Sequence, residues 1–243
     1  MAGSNAAPRV WGVIPAAGIG RRMGGEVPKQ YLRIAGRTLL EHSAAALLAL
    51  EPLARLVIAH HADDQTLATL PLAKHPRVQP VVGGDERAAS VLAALEALAD
   101  VADDDDWIMV HDAARPCVEP DTLRAMIAQL AGHAVGGILA QALSDTVKQA
   151  GADGAVERTL PRERLWRAQT PQVFRYRLLV DALRTAARDG VVATDEAMAM
   201  ERLGYRPQLI EGQASNIKVT YPDDLALAAW YLERAAGQGG RLA

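Results

Sequence analysis

The sequence predicts an α/β fold of Rossmann-like type: one mostly parallel sheet with helices on both faces and a protruding β-arm. Three observations lead there. Short apolar runs of four or five residues alternate with longer segments of helical period. The stretches richest in glycine and charge come directly after the apolar runs. One polar stretch interrupts the alternation. A chain of 243 residues is long enough for one large core and cramped for two. We therefore read residues 10–234 as a single domain between flexible tails at 1–9 and 235–243.

The elements follow in order. Val10–Ile14 is a strand and Thr38–Leu50 a helix rich in Ala and Leu. Arg55–Ala59 and Val78–Val82 are strand-like, and Ala88–Leu98 is a helix with Val91, Leu92, Leu95 and Leu98 on one face. Trp107–Val110 is a buried strand after the acidic run Asp103–Asp106, which reads as a solvated loop. A helix over Asp121–Ala131 and a strand over Gly137–Ala140 complete the alternation. From about 141 to 172 the chain turns polar. Asp145–Gln149 and Val156–Leu160 are strand-like around a turn at Ala150–Ala155, a hairpin that cannot bury itself and so packs on a partner. Arg177–Arg188 is an amphipathic helix, and Thr194-Asp195-Glu196 opens another with a capping residue. Gln208–Glu211 and Ile217–Thr220 are short strands, and Leu225, Ala228, Ala229 and Leu232 form one face of a closing helix.

Composition narrows the function. A net charge of −3 and a pI near 6.1 argue against a nucleic-acid or anionic-membrane partner. No apolar run approaches the ~18 residues of a membrane span. The lone Cys117 has no partner for an internal disulfide and reads as a packing residue, which suits a reducing compartment and a cytoplasmic location.

The most chemical stretch is Val13-Ile14-Pro15-Ala16-Ala17-Gly18-Ile19-Gly20-Arg21-Arg22-Met23, followed by Pro28-Lys29-Gln30. Glycines let successive backbone N–H groups point into one concavity, which suits a polyphosphate. Fixed cations beside it add charge where a phosphorus centre under attack develops it. Met23 stands where a dinucleotide fingerprint has its third glycine, which weighs against an NAD(P)-dependent oxidoreductase, and no Walker Gly-Lys-Ser/Thr occurs. Gly83-Gly84-Asp85-Glu86-Arg87 with Ser90 is a second glycine turn, fit either to approach a base and ribose or simply to enter a helix capped by Asp85. His111-Asp112-Ala113-Ala114-Arg115 follows a buried strand and offers an acid and a base three residues apart; His111 itself reads as structural. Lys218 lies within an apolar segment, where an anionic ligand or a carboxylate must meet it. In sheets of this kind ligands sit beyond the carboxyl ends of the strands, so these stretches converge on one crevice.

In this order the motifs resemble the 2-C-methyl-D-erythritol 4-phosphate cytidylyltransferase family from about Val10 to Tyr231. Pro28-Lys29-Gln30-Tyr31, Gln169-Thr170-Pro171-Gln172, Thr194-Asp195-Glu196 and Asn216-Ile217-Lys218-Val219-Thr220 carry the likeness with the loops above. The resemblance implies CMP transfer from CTP to methylerythritol phosphate, with ribitol 5-phosphate as the alternative acceptor. It implies Arg22, Lys29, Arg162 and Lys218 as catalytic groups. Pro15, Ala16, Ala17, Gly18, Gly20, Gly84, Asp85, Ser90 and Ala113 would bind the nucleotide, and Asp112, Arg115, Thr146, Thr170 and Thr194 the sugar phosphate. Mg²⁺ would be held mainly by the nucleotide's phosphates, without protein metal ligands. The arm would cross a two-fold homodimer, bringing Thr146 and Arg162 to the partner's site; among Arg158, Arg162 and Arg164, the spacing to Leu165-Trp166 selects Arg162.

Overall fold

The computed structural model describes residues 8–18 and 27–239. In chain order its strands are β1 (Val10–Pro15), β2 (Arg33–Ile34), β3 (Arg37–Thr38), β4 (Leu53–His60), β5 (Val78–Val82), β6 (Trp107–Val110), β7 (Gly136–Ala142), β8 (Val147–Ala150), β9 (Val156–Leu160), β10 (Trp166–Arg175) and β11 (Gln208–Glu211). Its helices are α1 (Leu39–Leu48), α2 (Arg87–Glu96), α3 (Pro120–Leu130), α4 (Tyr176–Arg188), α5 (Glu196–Arg202) and α6 (Pro222–Gly239). Seven strands form one sheet in the order β11-β7-β10-β6-β1-β4-β5. Every neighbouring pair is parallel except the two that involve β10. The expected mostly parallel sheet is therefore present.

The period-2 alternation of a strand places the two halves of the core. Val10 and Ile14 of β1 join Leu40, Leu47, Leu123 and Met126 on the face covered by α1 and α3. Trp11 and Val13 point the other way, into Val91, Leu95, Leu179, Leu183 and Met200 from α2, α4 and α5. A buried strand needs apolar residues on both faces, which is why β1, β6 and the Leu56–Ala59 part of β4 read as unbroken apolar runs. A third, smaller cluster joins α6, through Ala228, to Ile34, Leu39, Cys117 and Val219. Burial pushes the Cys117 thiol up to about 12, so it remains a packed thiol at neutral pH.

The chain passes from β1 to β4 and β5 on one side, then returns to β6 on the other side of β1. This reversal is a topological switch point, and the crevice it opens lies beyond the carboxyl ends of β1 and β6.

Several expectations are corrected. The polar stretch from 141 to 172 is not all arm: β8 and β9 pair as the expected antiparallel hairpin, but β10 enters the central sheet between β6 and β7. Its approach to β7 requires Gly136, at φ +134°, where an added Cβ would lie 2.0 Å from the Val173 carbonyl oxygen. Ile217–Thr220 is extended but joins no sheet; Val219 donates its N–H to the Ala114 carbonyl at 2.8 Å and buries its side chain under α6. The acidic run is not wholly solvated. Asp106 is buried and accepts from the Arg9 N–H and the Trp11 indole, both at 2.8 Å, which also anchors the described end of the expected N-terminal tail. Helix α6 continues through Gly239, past residue 234, because Ala235 and Ala236 are strong helix formers. Helix α2 starts at Arg87 after Glu86 with no side-chain cap, so Asp85 does not cap it. Asp195 does cap α5, accepting from the Met198 N–H at 2.9 Å.

Candidate active site

Three loops leave the sheet at the switch point and wall one crevice. The end of β1 supplies Pro15, Ala16, Ala17 and Gly18; the turn after β5 supplies Gly84 and Asp85, with Ser90 from α2. The loop after β6 supplies Asp112 and Ala113, and Lys29 and Lys218 complete the walls. Gly20 and Arg22 lie outside the described residues.

Local geometry explains why these backbones stand where they do. Ala16 is fixed on both sides: its N–H donates to the Ala59 carbonyl at 2.7 Å, and its carbonyl accepts from the Gln30 side chain at 2.8 Å. The 3₁₀ turn Lys29–Tyr31 thus aligns the Lys29 loop with the end of β1. On the opposite wall the Ser90 hydroxyl donates to the Gly84 carbonyl at 3.1 Å. A Cβ on Gly83 would stand 2.7 Å from that hydroxyl oxygen and 3.0 Å from the Ala17 Cβ, so only glycine allows the two loops to approach this closely. Behind Ala113, whose carbonyl accepts from Ser43 at 3.0 Å, the loop is held against α1.

The electrostatic centre is Asp112, 7% exposed. Its Oδ1 accepts from Arg87 Nε at 3.0 Å, and its Oδ2 meets Lys218 Nζ at 2.8 Å and Arg115 Nε at 3.7 Å. Burial would raise its pKa, but Arg87, Lys218 and Arg115 outweigh burial and hold the carboxyl well below the usual range. Arg87 also grips the fully buried Glu196, with Nη1–Oε1 at 2.5 Å and Nη2–Oε2 at 3.1 Å. A carboxylate therefore meets Lys218, yet the lysine side chain remains 42% exposed and faces the crevice.

Arg115 and Thr170 do not line the crevice, although the resemblance assigns them to substrate. The Arg115 guanidinium is mostly buried and donates to the carbonyls of Asn216 at 2.8 Å and Ala168 at 3.4 Å. The Thr170 hydroxyl accepts from the Asp112 N–H at 3.0 Å and bonds His111 Nδ1 at 3.0 Å. His111 Nε2 lies 3.0 Å from the Arg115 carbonyl. Burial lowers the His111 pKa to about 4, so the ring is neutral at pH 7; Nε2 then donates to the carbonyl and Nδ1 is left to accept from the Thr170 hydroxyl. These groups brace the Asp112 loop from behind. Thr194 is exposed just before α5, where its hydroxyl meets Met198 Sδ at 3.5 Å. Thr146 and Arg162 lie together on the arm, with Arg162 bonded to the Ser144 carbonyl, outside the crevice of their own chain.

Two groups escaped the sequence reading. Arg87 stood in the quoted motif Gly83-Gly84-Asp85-Glu86-Arg87 and Glu196 in Thr194-Asp195-Glu196, each without a role. Their pairing spans 109 residues, so no local pattern announces it.

A doubly wound sheet with a backbone cradle at the switch point and cations on its walls suits a ligand that carries phosphate, as in a nucleotidyltransferase. Comparison with known proteins narrows the class. Residues 10–234 match the profile of the family described as IspD, 2-C-methyl-D-erythritol 4-phosphate cytidylyltransferase. The chain belongs to that family. It is 51% identical over 230 residues to the family's protein from Shigella flexneri serotype 5b, covering 94% of this chain and 96% of that one. It is 50% identical over 232 residues to the one from Klebsiella pneumoniae, covering 95% and 97%. A crystal structure of a 4-diphosphocytidyl-2C-methyl-D-erythritol synthase superposes with a TM-score of 0.80 at 37% identity, covering 94% of this chain and 100% of that one.

Proposed function

We propose that this chain transfers CMP from CTP to 2-C-methyl-D-erythritol 4-phosphate in non-mevalonate isoprenoid precursor synthesis. The products are 4-diphosphocytidyl-2-C-methyl-D-erythritol and pyrophosphate. The observation that carries the reading is the crevice in which Lys218, anchored by Asp112, shares walls with the Ala16–Gly18 cradle and Lys29. Two anions must be brought together there, and fixed cations on the walls are what offset their repulsion.

An oxygen of the acceptor's phosphate attacks the α-phosphorus of CTP in line. A P–O bond forms to that oxygen as the bond to the β-phosphate's bridging oxygen breaks, and pyrophosphate leaves with that electron pair. No protein nucleophile takes part, so positioning and charge stabilisation do the work. We assign the amides after Ala16, at Ala17 and Gly18, to the triphosphate, and Lys29 with Arg22 to the charge that develops on it. Gly84, Asp85 and Ser90 take the cytosine and ribose side, where fixed backbone groups can select the base. Lys218 receives the acceptor's phosphate. Thr170 and Arg115 hold the Asp112 loop and the Asn216 turn that carry these groups.

Mg²⁺ enters as part of the nucleotide substrate, on its phosphate oxygens. Among the described residues no three His, Cys, Asp or Glu side chains are grouped to hold a metal ion, and both Asp112 oxygens already face cations. The arm of β8 and β9, whose side chains are mostly exposed, suits a homodimer in which Thr146 and Arg162 reach the partner's crevice. No described helix is long and apolar enough to cross a membrane. A cytoplasmic location fits a chain whose single cysteine is buried and free.

The test is pyrophosphate release from CTP and Mg²⁺ with methylerythritol phosphate, run beside ribitol 5-phosphate. Release with the first acceptor and little with the second supports the reading. Release only with ribitol phosphate would keep the chemistry and replace the acceptor.

A further inference from the structure

The geometry points to Glu196 as a positioning residue for Lys218, acting through Arg87 and Asp112; this deepens the cytidylyl-transfer reading and rests on it.

Asp112 has three cations within reach: Lys218 Nζ at 2.8 Å, Arg87 Nε at 3.0 Å and Arg115 Nε at 3.7 Å. One carboxylate cannot serve all three equally. A guanidinium is a fork that prefers to bind a carboxylate through two nitrogens. Left to itself, Arg87 would take both Asp112 oxygens and leave Lys218 without an anchor. Glu196 holds the outer edge of the fork, Nη1 and Nη2, at 2.5 and 3.1 Å, and so fixes the guanidinium where Nε alone meets Asp112 Oδ1. Oδ2 is then available to Lys218. The division of Asp112 between Arg87 and Lys218, both of which line the crevice, is thus set by a carboxylate 22 residues upstream of that lysine in sequence, the interval from position 196 to 218.

Glu196 is well placed to act as a fixed reference. Its α5 backbone is clamped from the sheet by Gln172, whose Oε1 accepts from the Ala197 N–H and whose Nε2 donates to Asp195, both at 2.9 Å. The Glu196 side chain is completely buried. A buried ion pair contributes little to stability compared with apolar packing, so stability alone is a poor reason for this one. Division of the Arg87 fork gives it a reason.

The test uses the full chain with Glu196→Gln, which keeps the shape and removes the charge. Steady-state kinetics with each substrate varied in turn should show KM for methylerythritol phosphate raised roughly 10- to 100-fold, with KM for CTP nearly unchanged. The chain has four lysines, Lys29, Lys74, Lys148 and Lys218, so biosynthetic ¹³C labelling at lysine Cε gives a spectrum readable without turnover. The Lys218 signal, identified by its loss in Lys218→Arg, should move in Glu196→Gln, while those of Lys74 and Lys148 stay. A Lys218 signal that does not move overturns the inference, as does a fall in kcat with both KM values kept. If Glu196→Gln does not fold, Glu196→Asp, which keeps the charge but withdraws it from the Arg87 fork, must move the same signal. A wild type that is inactive with methylerythritol phosphate refutes the proposed reaction instead, and the NMR arm still decides the role of Glu196.

Discussion

Replacing Asp112 by Asn keeps the side chain's shape and deletes the charge that Arg87, Arg115 and Lys218 share. Removing one partner of a buried ion pair costs about 3–5 kcal/mol, because the remaining charge is left uncompensated. Here the lower end applies. Arg87 retains Glu196, Arg115 retains two carbonyls, and the Lys218 side chain is 42% exposed and can be hydrated. A loss of ~3 kcal/mol in a chain of this size lowers Tm by about 6–12 °C. Three cations without their anion should also bind an anion from solution, so inorganic phosphate should raise the variant's Tm more than the wild type's. The assay is thermal unfolding at neutral pH with and without phosphate. A variant as stable as the wild type, or one no more responsive to phosphate, would refute the reasoning. Acid makes the same change in the wild type. The folded-state pKa of Asp112 lies below its ordinary value of 3.8, so its contribution is full above that value and is lost as pH falls towards the folded-state one.

Other predictions address separate parts of the account. Lys29→Ala should lower turnover on the order of 10²–10³-fold with little change in Tm, and near-normal turnover would remove Lys29 from the chemistry. His111 has its pKa lowered from 6.5 to about 4, so the unfolded chain binds the extra proton between those values. Wild-type stability should therefore rise by about 3 kcal/mol from this group as pH goes from 4 to 6.5, and His111→Gln should flatten that slope in denaturant titrations. If Arg162 acts across a dimer, mixing inactive Lys29→Ala and Arg162→Ala protomers should restore about a quarter of wild-type activity, because half the dimers then hold one intact site. No recovery after verified subunit exchange would place Arg162 elsewhere.

Where the sequence was legible, one physical pattern was at work. β1, β6 and the Leu56–Ala59 part of β4 are covered on both faces, so their burial is written as continuous apolar runs, and the glycine and charge that follow β1, β5 and β6 mark the crevice. β10 was illegible for the opposite reason. Gln169, Thr170 and Gln172 are buried polar residues whose partners lie on three other segments: the Gln213–Asn216 turn, the His111–Asp112 loop and the start of α5. A strand that fastens loops with polar side chains looks like a loop in sequence. Ile217–Thr220 misled in reverse, since its apolar residues pack beneath α6 without a strand partner. Most crevice residues were found because they sit in short motifs with a glycine or a cation, and Arg87, which also lines the crevice, was seen there without its role. The role of Glu196 was not seen either, because what distinguishes it is the distant arginine it holds.

The central claim is that fixed charges bring two phosphates together for one direct displacement. Its most direct test is the stereochemistry at the α-phosphorus, using a single diastereomer of CTP with sulfur at that position and methylerythritol phosphate, with the product read by ³¹P NMR. The account predicts a diphosphate product of inverted configuration. Retention would require a covalent intermediate on the protein, and appearance of the labelled phosphorus as free CMP thiophosphate would mean hydrolysis in place of transfer.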